Sequence, residues 1–585
     1  LGDVYKRQIH YAPTFDWKTG LREDTYGRKQ HITEFLFEHS QKAVDKDMGG
    51  KTYRRLLDFY KGRRYFRPFT DFDIQKILYL DATFVALKAV MIVLKWYRIQ
   101  DLPIHWSYRI KRDEIALVTD YNINDVLGTD ALVKNQQKEL DLRAKLSEMY
   151  AIDLRNMSRS SIGKNLMTKF YSEWSGMPSY EFVDLRTERS AVPIGKIVKD
   201  SITFKTPFYR KILEAIQRYS IYIGLGTAKQ SELKRENIAN GIVVTTWKKS
   251  FQSLEFLSHD KGYTLAKGGL HSKDDPRVIW ANPGEALADP DVASMYPSFI
   301  VNYGVSPHHL SSKVFLGIVE WLRTTRLDAK HNGRKLEADA LKIVINRIYG
   351  ALNDAMDYLY DPECTYTVTI NLQLLLCNLI ESFELNGFDV LSANTDGLLI
   401  RRPNDRLDLF NHICKEWEDY SKLSLDTEVF EKYCRSAVND YIAVGYGFYD
   451  ALQEYNRCGV WIDSKGNTYT TRQAIEDKFI KFKGYFLQDP EYNKGFVYPV
   501  VKKALKEYFL YGVDITEFIR NYINTSRTAI YDYCFSQKVA GKYTTIYKTV
   551  RDGKPVYIKC QKHNRFYICK SGGGAITKAI VPDCD

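Results

Sequence analysis

The chain has 585 residues, of which 44% are hydrophobic and 27% charged, a composition ordinary for a globular protein of several domains. Its formal net charge of +12 favours a polyanionic partner. The nine cysteines include no Cys-x-x-Cys pair, which argues against a zinc ribbon or a disulfide framework and predicts a reducing compartment. We expect the cytoplasm, or the host-cell cytoplasm for a viral protein. The closest approach to a membrane helix, at 84–97, contains two lysines, so we expect no membrane association.

The first third of the chain contains one possible site. Helical spacing of apolar residues predicts helices at 74–97 and 115–129, followed by charged helices over 136–175. In the second helix Tyr121 and Asp125 are four residues apart and share a face. A tyrosine hydroxyl beside a metal-binding aspartate can orient a hydrolytic water. A polar helix end accounts for the same residues without any site.

Short mixed elements between 176 and 290 lead to the segment around Asp291. We predict that a strand ends near Asp291 and that the chain breaks at Pro297, which sets the carboxylate at the rim of a sheet. Mg²⁺ prefers one or two carboxylates together with substrate phosphates, so an aspartate at such a rim suits phosphoryl transfer. Taken alone, Asp291 is explained better as a solvated loop aspartate.

Two predicted helices between 311 and 355 each carry polar side chains along one face. The residues on these faces are Arg323, Arg326 and Lys330 in the first helix, and Lys342, Asn346 and Tyr349 in the second. Two adjacent helices that aim cations along one face can grip a triphosphate. A pair of solvated basic helices is the alternative.

A tight hairpin is predicted at 388–401, with the turn Asn394–Gly397 at its tip. Asp396 lies in this turn, so the hairpin is a second way to present a carboxylate at a sheet rim. An aspartate that only forms the turn is the alternative.

The remaining elements alternate between helix and strand. They are an apolar helix at 366–386, helices at 405–435 and 498–525, strands at 438–446 and 478–485, and a strand-rich region at 540–580. Within the 478–485 strand Lys481 and Lys483 share a face. The pair Gly268 and Gly269 lets the backbone come close to a ligand, although such a pair is more often just a turn.

These pieces fit one chemistry together. Two carboxylates at sheet rims, Asp291 and Asp396, can bridge two Mg²⁺ ions roughly 3.5–4 Å apart. One ion would activate a primer 3′-hydroxyl and the other would hold the β- and γ-phosphates. Positioning and charge stabilisation are then the main tasks of the protein, and Arg326, Lys330 and Lys342 supply the charge. Tyr296, stacked beneath a sugar, would exclude a 2′-hydroxyl.

Several segments resemble the motifs of family B DNA polymerases, in the family's order. DVASMYPS (291–298) resembles motif A, KIVINRIYG (342–350) motif B, and SANTDGLLI (392–400) motif C. Four shorter segments also resemble family patterns. They are KGGLHS (267–272), similar to the Gly-Gly motif between exonuclease and polymerase domains; KFKGY (481–485), similar to a primer–template motif; DYNINDV (120–126), similar to the third exonuclease motif; and NRFY (564–567), similar to a thumb pattern.

The resemblance implies a multidomain α/β (α+β) fold with the palm, fingers and thumb of a right-hand polymerase, preceded by a partial RNase H-like 3′–5′ exonuclease domain. The implied domains are a partial exonuclease domain (1–135), a linking region with the N-terminal part of the palm (136–285), palm with motif A (286–310), fingers with motif B (311–355), palm with motif C and KxKGY (356–489), and thumb (490–585).

The resemblance also implies roles for individual residues. The metal ligands would be Asp291, Asp396 and the backbone carbonyl of Val292, holding two Mg²⁺ ions for which Mn²⁺ can substitute. The nucleotide would contact Ser294, Met295, Tyr296, Arg326, Lys330, Lys342, Asn346 and Tyr349, with Lys342 also counted as catalytic. DNA would contact Gly268, Gly269, Lys481, Lys483, Tyr485 and Arg565. Tyr121 and Asp125 would remain from the exonuclease.

Three positions depart from the family pattern. Motif C has Asn394 in place of its first aspartate and Gly397 in place of serine, so we expect Asp291 and Asp396 to be the two acids of the site. Motif B has Arg347 in place of serine, which we expect to add a cation near the triphosphate.

The front of the chain also departs from the family. No convincing Asp-x-Glu motif lies in the first hundred residues, and Phe15–Asp16 is only a faint second motif. Since the chain begins at Leu1, we expect an N-terminal truncation and no measurable exonuclease activity. Motifs A and B are close together, without the long insertion of protein-primed members, which favours priming from a nucleic-acid 3′ end.

The expected function is a DNA-directed DNA polymerase of bacteriophage type that extends a primer in phage DNA replication. The expected partners are primer–template DNA, dNTPs and other replication proteins, with the chain itself a monomer. Two alternatives remain: a catalytically weak nucleic-acid-binding relic of a polymerase, and a residual 3′–5′ exonuclease.

Overall fold

The computed structural model describes most of the chain from residue 110 onward and shorter pieces before it. The described residues are 15–16, 21–23, 29–31, 74, 77, 87–99, 103–104, 110–239, 241–487, 498–538, 546–551, 553–559, 563–568 and 574–577. The chain divides into two compact units. The first contains 1–144, 490–504 and 514–585, and the second contains 145–489 and 505–513.

A seven-stranded antiparallel sheet, here called the central sheet, organises the second unit. Six strands follow one another across it in the order Asp389–Ala393, Leu398–Pro403, Glu285–Val292, Leu425–Ala437, Asp440–Gly445 and Ile480–Lys483. The seventh, Arg277–Trp280, pairs with the far end of the Leu425–Ala437 strand. Leu287, Leu391, Leu399, Tyr433 and Tyr441 are buried together on this sheet.

Polar residues of the central sheet gather at one end of its middle strand. Glu285–Val292 pairs with Leu398–Pro403 only as far as Ala288, and with Leu425–Ala437 from Leu287 to Val292. Pro290 lies where the first ladder is interrupted, so its missing N–H removes no hydrogen bond on that side.

A second sheet of seven strands lies earlier in the same unit. Its strands are Ala191–Pro193, Ser220–Tyr222, Lys234–Ala239, Ile242–Trp247, Ser250–Ser258, Lys261–Ala266 and Leu270–Ser272. The last two form a hairpin whose turn contains Gly268 and Gly269.

Helices surround both sheets. The helices that lie entirely in the second unit are Arg159–Ser175, Ile194–Ile197, Pro207–Gln217, Met295–Asn302, Ser312–His331, Lys335–Leu352, Pro362–Leu385, Leu407–Ser421, Phe448–Cys458 and Arg472–Phe479. Ser312–His331 and Lys335–Leu352 form the predicted helix pair, joined by a turn in which Gly333 has a φ of 71°.

The helix Pro362–Leu385 connects the second sheet to the rest of the unit. The Gln373 side chain donates to the carbonyl of Ala266 and accepts from its amide, and the Asn371 side chain donates to the carbonyl of Ile197. By length and composition this helix could cross a membrane, but 78% of its most apolar window is buried in the protein, as expected of a core helix. It is a longer apolar segment than the one predicted at 84–97.

The first unit contains helices and short strands. Among the described residues its helices are Leu87–Val93, Ile115–Asn135 and Ile515–Tyr522, and its strands are Phe15–Asp16, Leu21–Glu23, Lys29–His31, Cys534–Lys538, Ile546–Arg551, Lys554–Lys559, His563–Ile568 and Gly574–Thr577. Met91, Ile92, Ile99, Tyr531 and Cys534 are buried together here. The helices Gln137–Tyr150 and Pro499–Tyr511 each contain a boundary between the units.

The predicted mixture of helices and strands is confirmed, with two corrections. Residues 405–435 are not one helix: a helix ends at Ser421 and a strand runs over Leu425–Ala437, where β-branched and aromatic residues alternate with charged ones. Pro297 does not break the chain, because it is the third residue of the helix Met295–Asn302, where no intrahelical N–H bond is lost.

Candidate active site

Asp291 and Asp396 lie side by side at the end of the central sheet. Asp291 is the next-to-last residue of its strand, and it forms an isolated antiparallel bridge with Gly397 in the hairpin turn. The amide of Val292 donates a 2.7 Å hydrogen bond to the carbonyl of Asp396. The strand and the hairpin therefore hold each other at the two aspartates.

Asn394 shapes the turn that presents Asp396. Its buried side-chain oxygen accepts from the amides of Asp396 at 3.0 Å and Gly397 at 2.6 Å. The backbone N–H of Asn394 donates to the carbonyl of Gly397. The amide side chain at this position thus closes an Asx-type turn.

Gly397 has no room for a side chain. A Cβ atom built on it would lie 1.9 Å from Oδ1 of Asp291 and 3.0 Å from the carbonyl oxygen of Pro290. Glycine in place of the family's serine is thus what allows the hairpin to approach the Asp291 carboxylate this closely.

Two neighbouring acids raise the proton affinity of the site. Burial and the charge of Asp396 raise the pKa of Asp291 to about 6. Burial and the charge of Asp291 raise the pKa of Asp289, two residues earlier on the same strand, to about 7. Oδ1 of Asp291 is buried without a hydrogen-bond partner among the described residues. An unpartnered oxygen next to another carboxylate fits a divalent cation.

Lys481 contacts three of the acids around this site. Its Nζ lies 3.5 Å from Asp289 and 3.8 Å from Asp291, and it forms an ion pair with Glu428. Burial alone would lower the pKa of Lys481, but the bond to Glu428 and the charges of Asp289 and Asp291 outweigh it and raise the pKa. Lys481, predicted to contact DNA, thus lies among carboxylates.

Lys483 and Tyr485 continue the same segment. Lys483 Nζ lies 5.6 Å from the centre of the Tyr441 ring. The charge of Lys483 offsets part of the rise in the pKa of Asp291. The amide of Tyr485 donates to Asp440, and a Cβ at Gly484 would collide with the same carboxylate. These contacts hold the segment next to Asp291.

The helix after Asp291 is preceded by a residue with an unusual backbone conformation. Ser294 has a φ of 48°, in the left-handed region, immediately before Met295 and Tyr296. Nη1 of Arg326, from the helix Ser312–His331, donates to the Ser294 hydroxyl at 3.2 Å. Since the first N–H groups of a helix lack intrahelical partners, this end combines backbone donors with a guanidinium.

Tyr296 and Tyr349 stack on each other. Their ring centres are 4.0 Å apart and their planes differ by 9°. Lys342 and Asn346 are exposed on the same face of the helix Lys335–Leu352 as Tyr349. Lys330 is also exposed, one turn after Arg326.

Two of the expected cations are neutralised by acids. Arg323 forms two 2.9 Å bonds to Glu320 on its own helix. Nη2 of Arg347 pairs with Asp354 at 3.0 Å and with Asp357 at 2.6 Å. The expectation that Arg347 adds charge near a triphosphate is therefore wrong, because its guanidinium binds the loop after its helix.

Gly269 lies against the hairpin tip. A Cβ built on Gly269 would lie 2.9 Å from Thr395, whereas one on Gly268 would meet nothing within 4 Å. His271 Nε2 is 3.2 Å from the Thr395 hydroxyl. The Gly-Gly turn thus approaches the residue before Asp396.

Part of the sequence is similar to curated DNA polymerases. The DNA polymerase of Thermococcus gorgonarius is 27% identical over a region covering 27% of this chain and 24% of that protein. DNA polymerase II of Escherichia coli is 25% identical over 24% of this chain and 22% of that protein. The matched regions thus span about a quarter of each curated relative. No family model matches the chain.

A solved family B DNA polymerase from Pyrobaculum calidifontis gives a structural match over 84% of this chain and 58% of that one. Its TM-score is 0.36 and its sequence identity 13%. A score at that level carries no argument about fold, so the comparison with polymerases is one of local sequence.

The residues that resemble a polymerase's exonuclease motif belong to the first unit. Tyr121 and Asp125 share a face of the helix Ile115–Asn135, as the spacing predicted. Buried Lys88 forms an ion pair with Asp125, and its Nζ lies 4.6 Å from the centre of the Tyr121 ring. Asp125 therefore already has a cationic partner.

Arg565, predicted to contact DNA, also belongs to the first unit. It lies in the strand His563–Ile568, opposite Ser536 on one side and Thr577 on the other.

Sequence reasoning missed the acids that surround the polymerase-like motifs. Asp289 has no role in the sequence-based prediction, and Asp426 and Glu428 fall within the helix predicted at 405–435. In the sheet Asp426 faces Asp291 and Glu428 faces Asp289 across one strand pair. The alternation of Asp289 with Asp291, and of Asp426 with Glu428, is the strand-like signal that could have revealed them.

Another group of potential metal ligands lies elsewhere in the second unit. Ligand atoms of His308, Asp361 and Cys364 are within 4.8 Å of one another. The Arg189 guanidinium lies beside this group, 3.4 Å from Asp361 and 3.2 Å from His308. Burial raises the pKa of Cys364, which disfavours the thiolate that binds metals. The Arg189 guanidinium thus already supplies a positive charge to these potential ligands.

Proposed function

We propose that this protein is a DNA-directed DNA polymerase that adds deoxynucleotides to a primer 3′ end. The observation that carries the proposal is the joining of Asp291 and Asp396 by the Val292–Asp396 hydrogen bond and the close approach of Gly397. The local similarity to curated DNA polymerases supports the same conclusion.

The two carboxylates would hold the divalent cations, with the Val292 carbonyl as a further ligand. Bound Mg²⁺ or Mn²⁺ would favour deprotonation of the primer hydroxyl and neutralise phosphate charge. Asp291 supports this role because its buried Oδ1 has no hydrogen-bond partner among the described residues. Lys481 would keep Asp289 and Glu428 from competing for the same cations, since it pairs with both.

The triphosphate would lie at the start of the helix Met295–Asn302. Arg326 is held over this end by its bond to Ser294, and backbone N–H groups there suit phosphate oxygens. Lys330 and Lys342 would add charge from the two neighbouring helices.

The sugar and base would meet the stacked tyrosines. Tyr296 would lie beneath the sugar and exclude a ribose 2′-hydroxyl, while Tyr349 supports its ring. Asn346, one turn before Tyr349, would line the nascent base pair.

The wider organisation follows the family resemblance. The central sheet would be the palm, the helix pair within 311–355 the fingers, and 490–585 the thumb that binds primer–template DNA. Lys483, Tyr485 and the Gly268–Gly269 turn would contact that DNA. We propose phage replication as the setting, in a cytoplasm, with a monomeric chain that works alongside other replication proteins.

Primer extension tests this function. With Mg²⁺ and all four dNTPs, wild type should extend a labelled primer, while Asp291→Ala and Asp396→Ala should each lose extension by at least a thousandfold. Arg323→Ala, which removes a cation already paired with Glu320, should extend within about twofold of wild type.

The other outcomes separate the alternatives. If wild type and both variants only shift DNA in a gel, the protein is a binding relic. If the labelled strand is shortened in the absence of dNTPs, the residual exonuclease is supported instead.

A further inference from the structure

The hairpin that presents Asp396 contains a β-bulge before its turn. Val390 pairs with Ile400 and Ser392 with Leu399, so Leu391 is an extra residue on its strand. A bulge re-aims the residues that follow it and leaves backbone groups outside the ladder. The geometry of the Asp396 turn therefore depends on what holds the Leu391 peptide.

Two cations bind the Leu391 carbonyl. Lys261 Nζ donates to this oxygen at 2.9 Å, and Arg435 Nη1 donates to it at 3.0 Å. The Arg435 side chain is 1% exposed and that of Lys261 is 18% exposed. Two charged donors on one carbonyl use both of its lone pairs.

One buried carboxylate balances these cations and extends to the hairpin itself. Asp274, with a fully buried side chain, lies 3.2 Å from Arg435 and 3.5 Å from Lys261. Its other oxygen accepts from the hydroxyls of Ser272 and Ser392. The Ser272 hydroxyl in turn accepts from the amide of Ala393, the residue before the turn.

We infer that Lys261, Arg435, Asp274 and Ser392, here called the Leu391 brace, are positioning residues for Asp396. The brace holds the hairpin at its bulge, and the Val292 amide holds it at the Asp396 carbonyl. Between these two points lie only the last two strand residues, Ser392 and Ala393, and the first residues of the turn, so the brace sets where Asp396 stands relative to Asp291. This inference rests on the proposed polymerase function.

Burial of the network explains why it would act as a rigid support. A buried ion pair is costly to break, because removal of one partner leaves an unpaired charge. A network with every member bonded also specifies one arrangement of its neighbours. The buried charged side chains therefore fix the Leu391 carbonyl by directional bonds, which apolar side chains at the same positions could not provide.

Lys432 provides a matched control. It is a buried lysine on the central sheet, and its Nζ also donates to a backbone carbonyl, that of Phe509. No contact described for Lys432 involves the Asp396 hairpin. Lys432→Met therefore removes the same kind of lysine–carbonyl bond away from the hairpin, and thermal melting of both variants compares their cost in stability.

The test compares Lys261→Met with Lys432→Met. For Lys261→Met we expect kcat for primer extension to fall at least tenfold and the half-saturating Mg²⁺ concentration to rise several-fold, with primer–template Kd within twofold. Hydrogen–deuterium exchange of the 389–401 amides should become faster in this variant alone. Arg435→Lys, which retains a cationic donor at the other brace position, should lose less kcat than Lys261→Met.

The inference is overturned if the two variants have the same exchange and the same Mg²⁺ dependence, or if exchange rises while kcat does not change. Ser392→Ala, which removes one bond to Asp274, replaces Lys261→Met if the latter fails to fold, and the same two readouts then apply. If wild type extends no primer, the proposed function fails, while exchange and Mn²⁺ affinity by calorimetry still decide the brace.

Discussion

At the scale of single residues, Gly397 and Asn394 shape the site as much as its aspartates do. Gly397 leaves space for the Asp291 carboxylate, and Asn394 turns its amide into the hairpin. Both were first seen only as departures from a family motif. Their contacts explain why a glycine and an asparagine suit this turn.

Gly397→Ala should lose extension by more than a hundredfold, because its Cβ would overlap Oδ1 of Asp291. Relief of that overlap by movement of the hairpin should also cost about 1–3 kcal/mol of stability. Primer extension and thermal melting measure the two effects. Gly268→Ala, whose Cβ meets nothing, gives the melting change of a glycine substitution without a clash. Equal melting changes for the two variants would contradict this account.

Asn394→Ala should lower extension at least tenfold, because it leaves the amides of Asp396 and Gly397 without their acceptor, a cost of about 1–3 kcal/mol. Asn394→Asp, whose carboxylate can accept the same bonds, should stay within about threefold of wild type. Steady-state extension rates decide between them. Similar losses in both variants would mean that the amide has a role beyond the turn.

Asp289→Asn should stabilise the protein at high pH. The pKa of Asp289 is raised from 3.8 to about 7 by burial and by Asp291, so its ionised form costs stability as pH rises between those values. We expect a gain on the order of 4 kcal/mol at pH 8 and about 1 kcal/mol near pH 4.5. Chemical denaturation at both pH values measures it. A gain independent of pH would contradict the assignment.

At the scale of elements, the second helix of the pair carries one cation that is paired with acids and one that is exposed. Arg347 on the second helix pairs with Asp354 and Asp357, and a Cβ at Gly163 would lie 2.6 Å from the Arg347 Cβ. This close packing joins the helix Arg159–Ser175 to the second helix. Lys342 is exposed on another face of the second helix.

Arg347→Ala and Lys342→Ala should therefore change different properties, the first the stability of the protein and the second the KM for dNTPs. The first should lower stability by roughly 3 kcal/mol, because it leaves the buried Asp357 with only the longer, 3.7 Å pair to Lys164, and should keep the KM for dNTPs within about twofold. The second should raise that KM at least tenfold with little change in melting temperature. Melting curves and steady-state kinetics measure the pair. A large KM effect of Arg347→Ala would return it to the nucleotide site.

At the scale of the whole molecule, the net charge of +12 predicts how the protein meets DNA. Affinity for primer–template DNA should fall linearly with the logarithm of salt concentration, because bound phosphates release counterions. Asp291→Ala should keep the wild-type slope, since it removes no cation that contacts phosphate. Fluorescence anisotropy across a salt series gives the slope. An affinity independent of salt would exclude phosphate contacts as its main source.

The sequence by itself determined the order of the motifs, the two aspartates and most helices around them. Periodicity of apolar residues marks helices such as Lys335–Leu352, and turn residues mark the Asp396 hairpin, because these signals depend on neighbours along the chain. The same signals misplaced Leu425–Ala437, where a strand carries Asp426 and Glu428 to face the site. Local preference could not reveal that partner strand.

Only the tertiary structure decided which charges meet. It paired Arg347 with its loop, Lys88 with Asp125, and Lys481 with the acids beside Asp291. It also brought Lys261 and Arg435 to one carbonyl oxygen. Lys261 and Arg435, 174 residues apart, carry no mutual signal in the sequence, and even the nearby acids of Arg347 are not marked as its partners. Whether a buried charge is bound or free depends on distances across the fold, which only folding sets.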